Sequence, residues 1–503
     1  MNMVELWHLL LLLSLQQWLF LPIIIPCHAT TTTHAQRLHS FITSNFISPD
    51  YNINLPLSEE WPDEDLLSSP SSSSVYIGPQ QGLMKADKIL SLPKQPPGVK
   101  FGQYSGYVTV DPLAGRSLFY YLAESPHNSS AKPLVLWLTG GPGCTSLGFF
   151  EIGPYNVRSD GKTLYMDEHA WNNVANVLFV ESPAGVGFSY SNTTSDYDTT
   201  GDRRTAKDSY TFLVNWFQRF PHYKKRDFYI AGQSYCGHFI PQLAHTIVTQ
   251  NNNQNSGLPV INLKGIAVGN GLLDYDLVMK GISDFLWGHA MSSDETHQGI
   301  IKNCDFARRN YSETCQKYLI QMIQEYGLVP IVNIMYSSLC VPDSPKAQSP
   351  GLTFNLCSTT YVQAYLNRKN VQRAFHTINT TWRSCSKEVG GSNWKDAPRT
   401  VLPIIKKLIA NRIRIWLYSG DQDGLVPVTS TRYAINALKL PVVTPWRPWY
   451  SMATKEVGGY VEEYDGLTLV TIRGAGHAPP SYQPERALTM ISSFLEGKLP
   501  PSA

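Results

Sequence analysis

The stretch Phe228-Tyr229-Ile230-Ala231-Gly232-Gln233-Ser234-Tyr235-Cys236-Gly237-His238-Phe239 decides the reading of this chain. A short β-prone run ends in glycine, and the chain then turns through a serine into a segment that can open a helix. A tight strand-to-helix turn of this kind pushes the serine hydroxyl out above the edge of a sheet. It needs small residues on both sides of the serine, because neighbouring backbones crowd the turn. Gly232 and Gly237 meet that need, although Cys236 stands where the common G-x-S-x-G spacing has its last glycine. Such a turn recurs in many sequences, so Ser234 carries weight only if it has partners.

A serine hydroxyl needs a base, and the base needs a carboxylate to orient it. In sheets with this turn the three follow in the order Ser, Asp, His. Downstream, the apolar run Ile413–Tyr418 leads into Ser419-Gly-Asp-Gln-Asp-Gly-Leu-Val-Pro427, and Thr468–Ile472 leads into Arg473-Gly-Ala-Gly-His477-Ala478. Asp423 and His477 therefore both sit on loops after late strands. Either alone reads as a turn cap or an ordinary loop histidine; three positions in the right order and context read as a candidate catalytic set with Ser234. Asp421 is the competing acid, and Asp423 is preferred because it stands just before Gly424-Leu-Val-Pro427. An oxyanion hole would use the Tyr235 N–H and one from the loop Thr139-Gly140-Gly141-Pro142-Gly143-Cys144, with Gly141 preferred.

Around these motifs, Pro133–Leu138, Asn176–Val180, Phe228–Ala231, Gly265–Val268, Ile413–Tyr418 and Thr468–Ile472 are short, apolar and β-rich. Each ends in turn chemistry, as parallel strands buried on both faces do. Gln103–Val110 and Ser117–Glu124, joined by Asp111-Pro-Leu-Ala-Gly115, read as a hairpin. In Thr205–Phe220, Ala206, Tyr210, Leu213 and Phe217 recur at helical spacing and form one apolar stripe. The expected class is α/β: an α/β-hydrolase fold with a mixed, mostly parallel sheet flanked by helices. From Leu272 to about Cys385 this rhythm breaks, and the segment holds five of the seven cysteines that follow Ala29. It reads as an inserted, disulfide-tied helical subdomain, with a Pro/Ser-rich stretch at 341–351 suited to proteolytic nicking.

The amino terminus reads as a secretory signal over residues 1–29. Leu9–Leu15 and Trp18–Ile25 are apolar, and Cys27-His28-Ala29 offers small residues for cleavage, though the first residues lack Lys and Arg. The competing reading, an uncleaved anchor, is opposed by Gln16, Gln17, Pro22 and Pro26. Residues 30–86 are Thr-, Ser- and Pro-rich and read as a disordered or propeptide-like leader. The hydrolase core is then expected over 87–271 and 386–499, with the insertion at 272–385. Seven cysteines after the signal imply three bridges and one spare thiol in an oxidising compartment. No C-x-x-C pair suggests a metal, and no cofactor motif occurs. Sequons at Asn128, Asn192, Asn310 and Asn379 fit a secreted surface. A formal net charge of +2, spread along 503 residues, gives no reason to expect nucleic acid or an anionic membrane as partner.

These motifs resemble one family, the serine carboxypeptidases of plants and fungi. The resemblance runs from about Asp87 to Leu499 and is carried by Trp137-Leu-Thr-Gly-Gly-Pro-Gly-Cys-Thr-Ser146, Glu181-Ser-Pro-Ala-Gly-Val-Gly-Phe-Ser-Tyr190, the serine turn, Ser419–Pro427 and Gly474-Ala-Gly-His477. It is most similar to the plant type cleaved into two disulfide-linked chains. By that resemblance Cys144–Cys385, Cys304–Cys315 and Cys340–Cys357 would be bridged and Cys236 would be the spare thiol. The resemblance also implies an extracellular or vacuolar protein, a peptide or small acyl substrate, room for a homodimer, and removal of C-terminal residues through an acyl-enzyme at acid pH.

In that family a free substrate carboxylate is held by an Asn, a Glu before the nucleophile and a Glu after the glycine loop. Here Glu151 matches the third, but Thr139 and Gln233 stand at the first two. Cys236 replaces a small Ala, and Ala478-Pro479 follows the histidine in place of Met-Val. Two neighbouring carboxyls can share a proton at acid pH and repel a carboxylate when ionised, whereas an amide is a donor at any pH. Gln233 is therefore expected to soften the loss of activity toward neutral pH. Two other readings compete: an acyltransferase acting on glucose esters, and a catalytically weakened peptide-binding protein.

Overall fold

The computed structural model describes residues 75–149, 151–253, 257–306, 311–327, 329–335, 355–390 and 393–502. The signal-like segment, residues 30–74 of the leader, Cys340, the Asn310 sequon and the 341–351 stretch lie outside the described residues.

Thirteen strands are present among the described residues: β1 Lys88–Ile89, β2 Gln103–Asp111, β3 Arg116–Ala123, β4 Leu134–Thr139, β5 Tyr155–Val157, β6 Leu164–Met166, β7 Asn176–Glu181, β8 Phe228–Gln233, β9 Leu263–Gly269, β10 Arg414–Gly420, β11 Val442–Tyr450, β12 Val457–Tyr464 and β13 Leu467–Ile472. Eleven of them make one sheet in the order β1-β2-β3-β7-β4-β8-β9-β10-β13-β12-β11, and β5 and β6 form a separate hairpin. From β7 through β13 neighbours run parallel. The flanks, β1-β2-β3-β7 on one side and β13-β12-β11 on the other, are antiparallel. This is the mixed, mostly parallel sheet of an α/β-hydrolase.

Alternate residues of each strand feed opposite faces. Along β8, Phe228 and Ile230 join one apolar cluster, while Tyr229 and Ala231 join the other. The helix Asp202–Arg219 buries Ala206, Tyr210, Leu213 and Phe217 against the first cluster. The helix Pro484–Glu496 buries Ala487, Met490, Ile491 and Phe494 in the second. Both faces of the parallel strands are thus covered, which is why β4, β8 and β13 need no polar alternation.

β11 and β12 had no counterpart in the sequence reading. Pro445 and Pro448 argue against a strand there; β11 accommodates them because it lies on the sheet edge and its pairing with β12 shifts register. Residues 75–86, assigned to the leader, are packed on the helix Asp202–Arg219. Gly78 N donates to Asn215 Oδ1 at 2.9 Å, Asn215 Nδ2 donates to Tyr76 O at 2.7 Å, and Arg219 Nε donates to Gln80 Oε1 at 2.9 Å.

Between β9 and β10 the described chain is helical: Tyr275–Gly288, Asp294–Asn303, Glu313–Tyr326, Ser358–Leu366, Lys369–Ala374 and Leu402–Ala410. Asp274, Ser293 and Ser312 accept hydrogen bonds from the first backbone N–H groups of the leading three. Disulfides join Cys304 to Cys315 within this insertion and Cys144 to Cys385 at its far end. Cys357 is also disulfide-bonded, and Cys236 is free and buried.

Candidate active site

The parallel strands deliver their carboxyl ends to one edge. Thr139, Gln233 and Gly269 are in register across β4, β8 and β9, and Gly420 lies opposite Ile472 across β10 and β13. Ser234 follows β8 immediately, with φ of 69°, a left-handed conformation that is uncommon for a residue with a side chain. Its N–H donates to Gly269 O at 2.9 Å, and its carbonyl accepts from Gly237 N and Leu272 N. Neighbouring backbone presses on the turn from both sides. A Cβ on Gly237 would lie 2.3 Å from Leu272 O, and one on Gly140 would lie 2.4 Å from Tyr235 N.

The three residues singled out in the sequence meet at this edge. His477 Nε2 lies 2.9 Å from Ser234 Oγ, and His477 Nδ1 lies 2.8 Å from Asp423 Oδ2. An ionised carboxylate only accepts, so Nδ1 carries the proton and Nε2 is left to accept from the serine hydroxyl. Asp423 is fully buried and also receives the N–H groups of Leu425 and Val426 at 2.9 and 3.2 Å and Asn270 Nδ2 at 2.7 Å. Asp421 turns away from the histidine and accepts from Gly474 N at 2.7 Å. The order hydroxyl, imidazole, carboxylate is competent for proton abstraction and nucleophilic attack.

Gly140 lies against the serine turn, and its carbonyl accepts from Cys144 N at 3.1 Å. The next peptide N–H, that of Gly141, points away from that carbonyl, since the bond between the two glycines is trans. Tyr235 begins the helix Cys236–Asn252, and its hydroxyl donates to Asp202 Oδ1 at 3.1 Å.

Beside the serine turn, Gln233 Nε2 donates to Glu151 Oε1 at 3.0 Å, while Trp137 Nε1 and Ser146 Oγ donate to Glu151 Oε2 at 2.9 and 2.5 Å. Burial pushes the Glu151 carboxyl up to about 7, and its three donors pull it the other way. Gln233 itself does not titrate, but its partner Glu151 does. Thr139 is buried opposite Gln233 in the sheet. Cys236 fits beneath the turn because Gly232 has no Cβ; one there would lie 3.0 Å from Cys236 Sγ. Burial pushes the Cys236 thiol up. Pro479 and Pro480, just past His477, open the short helix Pro479–Tyr482. Asn128, Asn192 and Asn379 are exposed.

The sequence reading missed a strap from the insertion. His477 N donates to Val332 O at 2.7 Å, Gly424 N to Ile331 O at 2.8 Å, and Ile334 N to Gln422 O at 3.1 Å. These are backbone contacts, and no side-chain pattern announces them. Asn270 was missed because Asn-Gly reads as an ordinary turn.

Comparison with known proteins places the chain in a family. A family model described as serine carboxypeptidase matches residues 93–497. Serine carboxypeptidase-like 40 of Arabidopsis thaliana is 48% identical over 431 residues, covering 83% of this chain and 84% of the relative. Serine carboxypeptidase-like 25 of Arabidopsis thaliana is 46% identical over 449 residues, covering 83% and 93%. The crystal structure of Kex1(delta)p, a prohormone-processing carboxypeptidase from Saccharomyces cerevisiae, shares the fold with a TM-score of 0.70 at 21% identity, covering 82% of this chain and 96% of that one. With a family model spanning most of its length and relatives near half identity, the chain belongs to the serine carboxypeptidase family.

Proposed function

We propose that this protein is a serine-type carboxypeptidase that releases C-terminal residues from peptides through an acyl-enzyme on Ser234. The observation that carries the reading is the unbroken chain from Ser234 Oγ through His477 to the buried Asp423 carboxylate. In the first half-reaction His477 Nε2 takes the Ser234 proton as Oγ adds to the scissile carbonyl. The oxyanion is met by the N–H groups of Tyr235 and Gly141. The C–N bond then breaks, His477 returns the proton to the departing amine, and water repeats the sequence to free the acid. Thr139, Gln233 and Glu151 lie beside the nucleophile as the groups to hold the substrate's free carboxylate.

The disulfides, the exposed sequons and the family support export, with the protein working in the vacuole or outside the cell after removal of residues 1–29. A core of 87–271 and 386–499 around an insertion at 272–385, nicked near 341–351, completes the reading.

A second reading is acyl transfer from glucose esters, since Gln233 matches neither the Glu of the peptidases nor the Asp of the acyltransferase relatives before the nucleophile. Purified protein incubated with a blocked dipeptide, a glucose ester and a fluorophosphonate probe separates the alternatives. Dipeptide turnover with labelling of Ser234 supports the peptidase, and ester turnover alone favours acyl transfer. Absence of labelling sinks both enzyme readings and leaves the peptide-binding one.

A further inference from the structure

We propose that Asn270 is a positioning residue: its side-chain amide holds the Asp423 carboxylate in the orientation that receives His477, and its turn holds the backbone of Ser234. The inference rests on the reading of Ser234 as the nucleophile.

Asn270 follows β9, the strand between the one that ends at the serine and the one that leads to the acid. Its φ of 41° is left-handed, which Asn tolerates better than most residues. The backbone of this turn serves both neighbours. Gly269 O accepts from Ser234 N at 2.9 Å, Leu272 N donates to Ser234 O at 3.0 Å, and Asn270 N donates to Tyr418 O at 2.8 Å. The nucleophile's peptide groups are thus gripped on both sides by residues flanking Asn270.

The side chain is fully buried and uses both ends. Oδ1 accepts from Gly420 N at 3.0 Å, while Nδ2 donates to Asp423 Oδ2 at 2.7 Å and to Val426 O at 3.2 Å. The amide cannot be turned over, because Gly420 offers only a donor and Asp423 and Val426 offer only acceptors. Of the four groups that donate to Asp423, this amide is the nearest, and it meets the same oxygen that receives His477. Oδ2 takes Nδ2, Val426 N and the imidazole, and Oδ1 takes Leu425 N. The amide, the shortest of these contacts, acts with the two backbone donors to set the plane of the carboxylate and the direction left to His477. A buried carboxylate that can swivel would cost the imidazole its alignment with Ser234.

A framework role and a positioning role make different demands. The framework needs a left-handed residue with an acceptor for Gly420 N, and aspartate supplies both. Positioning needs the donor at Nδ2, which aspartate lacks; it sets a carboxylate against Asp423 instead. Asn270→Asp therefore separates the two roles. Asn270→Gly keeps the left-handed backbone and removes the side chain without adding charge.

The experiment measures, for full-length secreted protein, the rate of Ser234 labelling by a fluorophosphonate probe, kcat and KM on a blocked dipeptide, and melting temperature. Asn270→Asp is expected to lower the labelling rate and kcat by about 10- to 100-fold, the scale of a hydrogen bond to a charged group, with KM within about twofold. Asn270→Gly is expected to lower both by about tenfold. Folded Asn270→Asp that labels at the wild-type rate overturns the proposal, and so does failure of both variants to fold, which would assign Asn270 to the framework alone. Wild-type protein that does not label fails the nucleophile reading itself, and that is seen before any variant is compared.

Discussion

Gln233 Nε2 donates to Glu151 Oε1 at 3.0 Å, yet the amide oxygen of Gln233 is buried without a hydrogen-bond partner among the described residues. A proton on Glu151 allows the other pairing, in which the amide turns over, the carboxyl O–H donates to the amide oxygen and the pair is neutral. Burial raises Glu151 to about 7, so the neutral pair belongs to the acid range. Above about pH 7 the carboxylate is ionised and repels a substrate carboxylate beside it. KM for a blocked dipeptide acid should therefore stay level below pH 7 and rise above it by up to about tenfold per pH unit. The corresponding dipeptide amide should show no such rise, and Glu151→Gln should flatten the acid's profile. A KM for the acid that is constant from pH 5 to 8 would remove Glu151 from carboxylate recognition.

The same arrangement occurs beneath the serine turn. Asp202 accepts from Gln242 Nε2 at 2.7 Å, Trp394 Nε1 at 2.8 Å and Tyr235 Oη at 3.1 Å, and the Gln242 amide oxygen is buried without a partner among the described residues. Burial raises Asp202 to about 7, Glu181 to about 7 and, against the pull of Arg116, Asp208 to about 6. Each holds its proton in the fold after the unfolded chain has lost it. The stability each group contributes is complete below about pH 4 and is lost as pH rises toward its folded value. Thermal melting from pH 4.5 to 7.5 should show stability falling across that window. Asp202→Asn should lessen the fall by about 1.4 kcal/mol per pH unit, the value of one proton. Equal slopes in the two proteins would mean that Asp202 is ionised throughout.

How much of this was legible in the sequence depends on where the information sits. Ser234, Asp423 and His477 could be found because each follows a buried strand and local glycine chemistry marks the turn. The parallel strands could be found because burial on both faces leaves them uniformly apolar. The edge ribbon β11–β12 could not, since its prolines are tolerated only by virtue of the edge, a tertiary fact. The strap at 331–334 acts through carbonyls and amides that every residue carries. That Gly140 packs against the backbone of Tyr235 is likewise visible only in the fold. Charges on Glu151 and Asp202 were invisible for the same reason: burial, not residue type, sets them.

Cys236 adjoins the nucleophile, but its sulfur is enclosed by the turn and its thiol is raised by burial. Reaction with thiol reagents needs an accessible thiolate, and neither condition holds in the fold. Native protein should leave Cys236 unmodified by iodoacetamide, with alkylation appearing only on unfolding. Cys236→Ala should keep kcat within about threefold, with stability lowered by about 1 kcal/mol for the lost sulfur. Mapping the alkylated peptide checks the first expectation. A large gain in kcat on Cys236→Ala would instead show that the thiol crowds the turn.

The Cys144–Cys385 bridge closes a loop of 241 residues and ties the glycine loop to the chain that leaves the insertion. Thr145 N donates to Ser384 O at 2.7 Å and Ser386 N to Gly143 O at 2.9 Å, so the bridge clamps a short antiparallel contact directly behind Gly140 and Gly141. Removing it frees the unfolded chain and loosens the loop proposed to supply the Gly141 N–H to the oxyanion. The double variant Cys144→Ala, Cys385→Ala should lose roughly 2–5 kcal/mol of stability. Its kcat should fall more than its KM rises, because loop alignment matters most in the transition state. The bridge also joins residues on either side of 341–351. A chain nicked there should run as one species on a non-reducing gel and as two after reduction. Unchanged melting and kcat in the double variant would show that the backbone contact alone holds the loop.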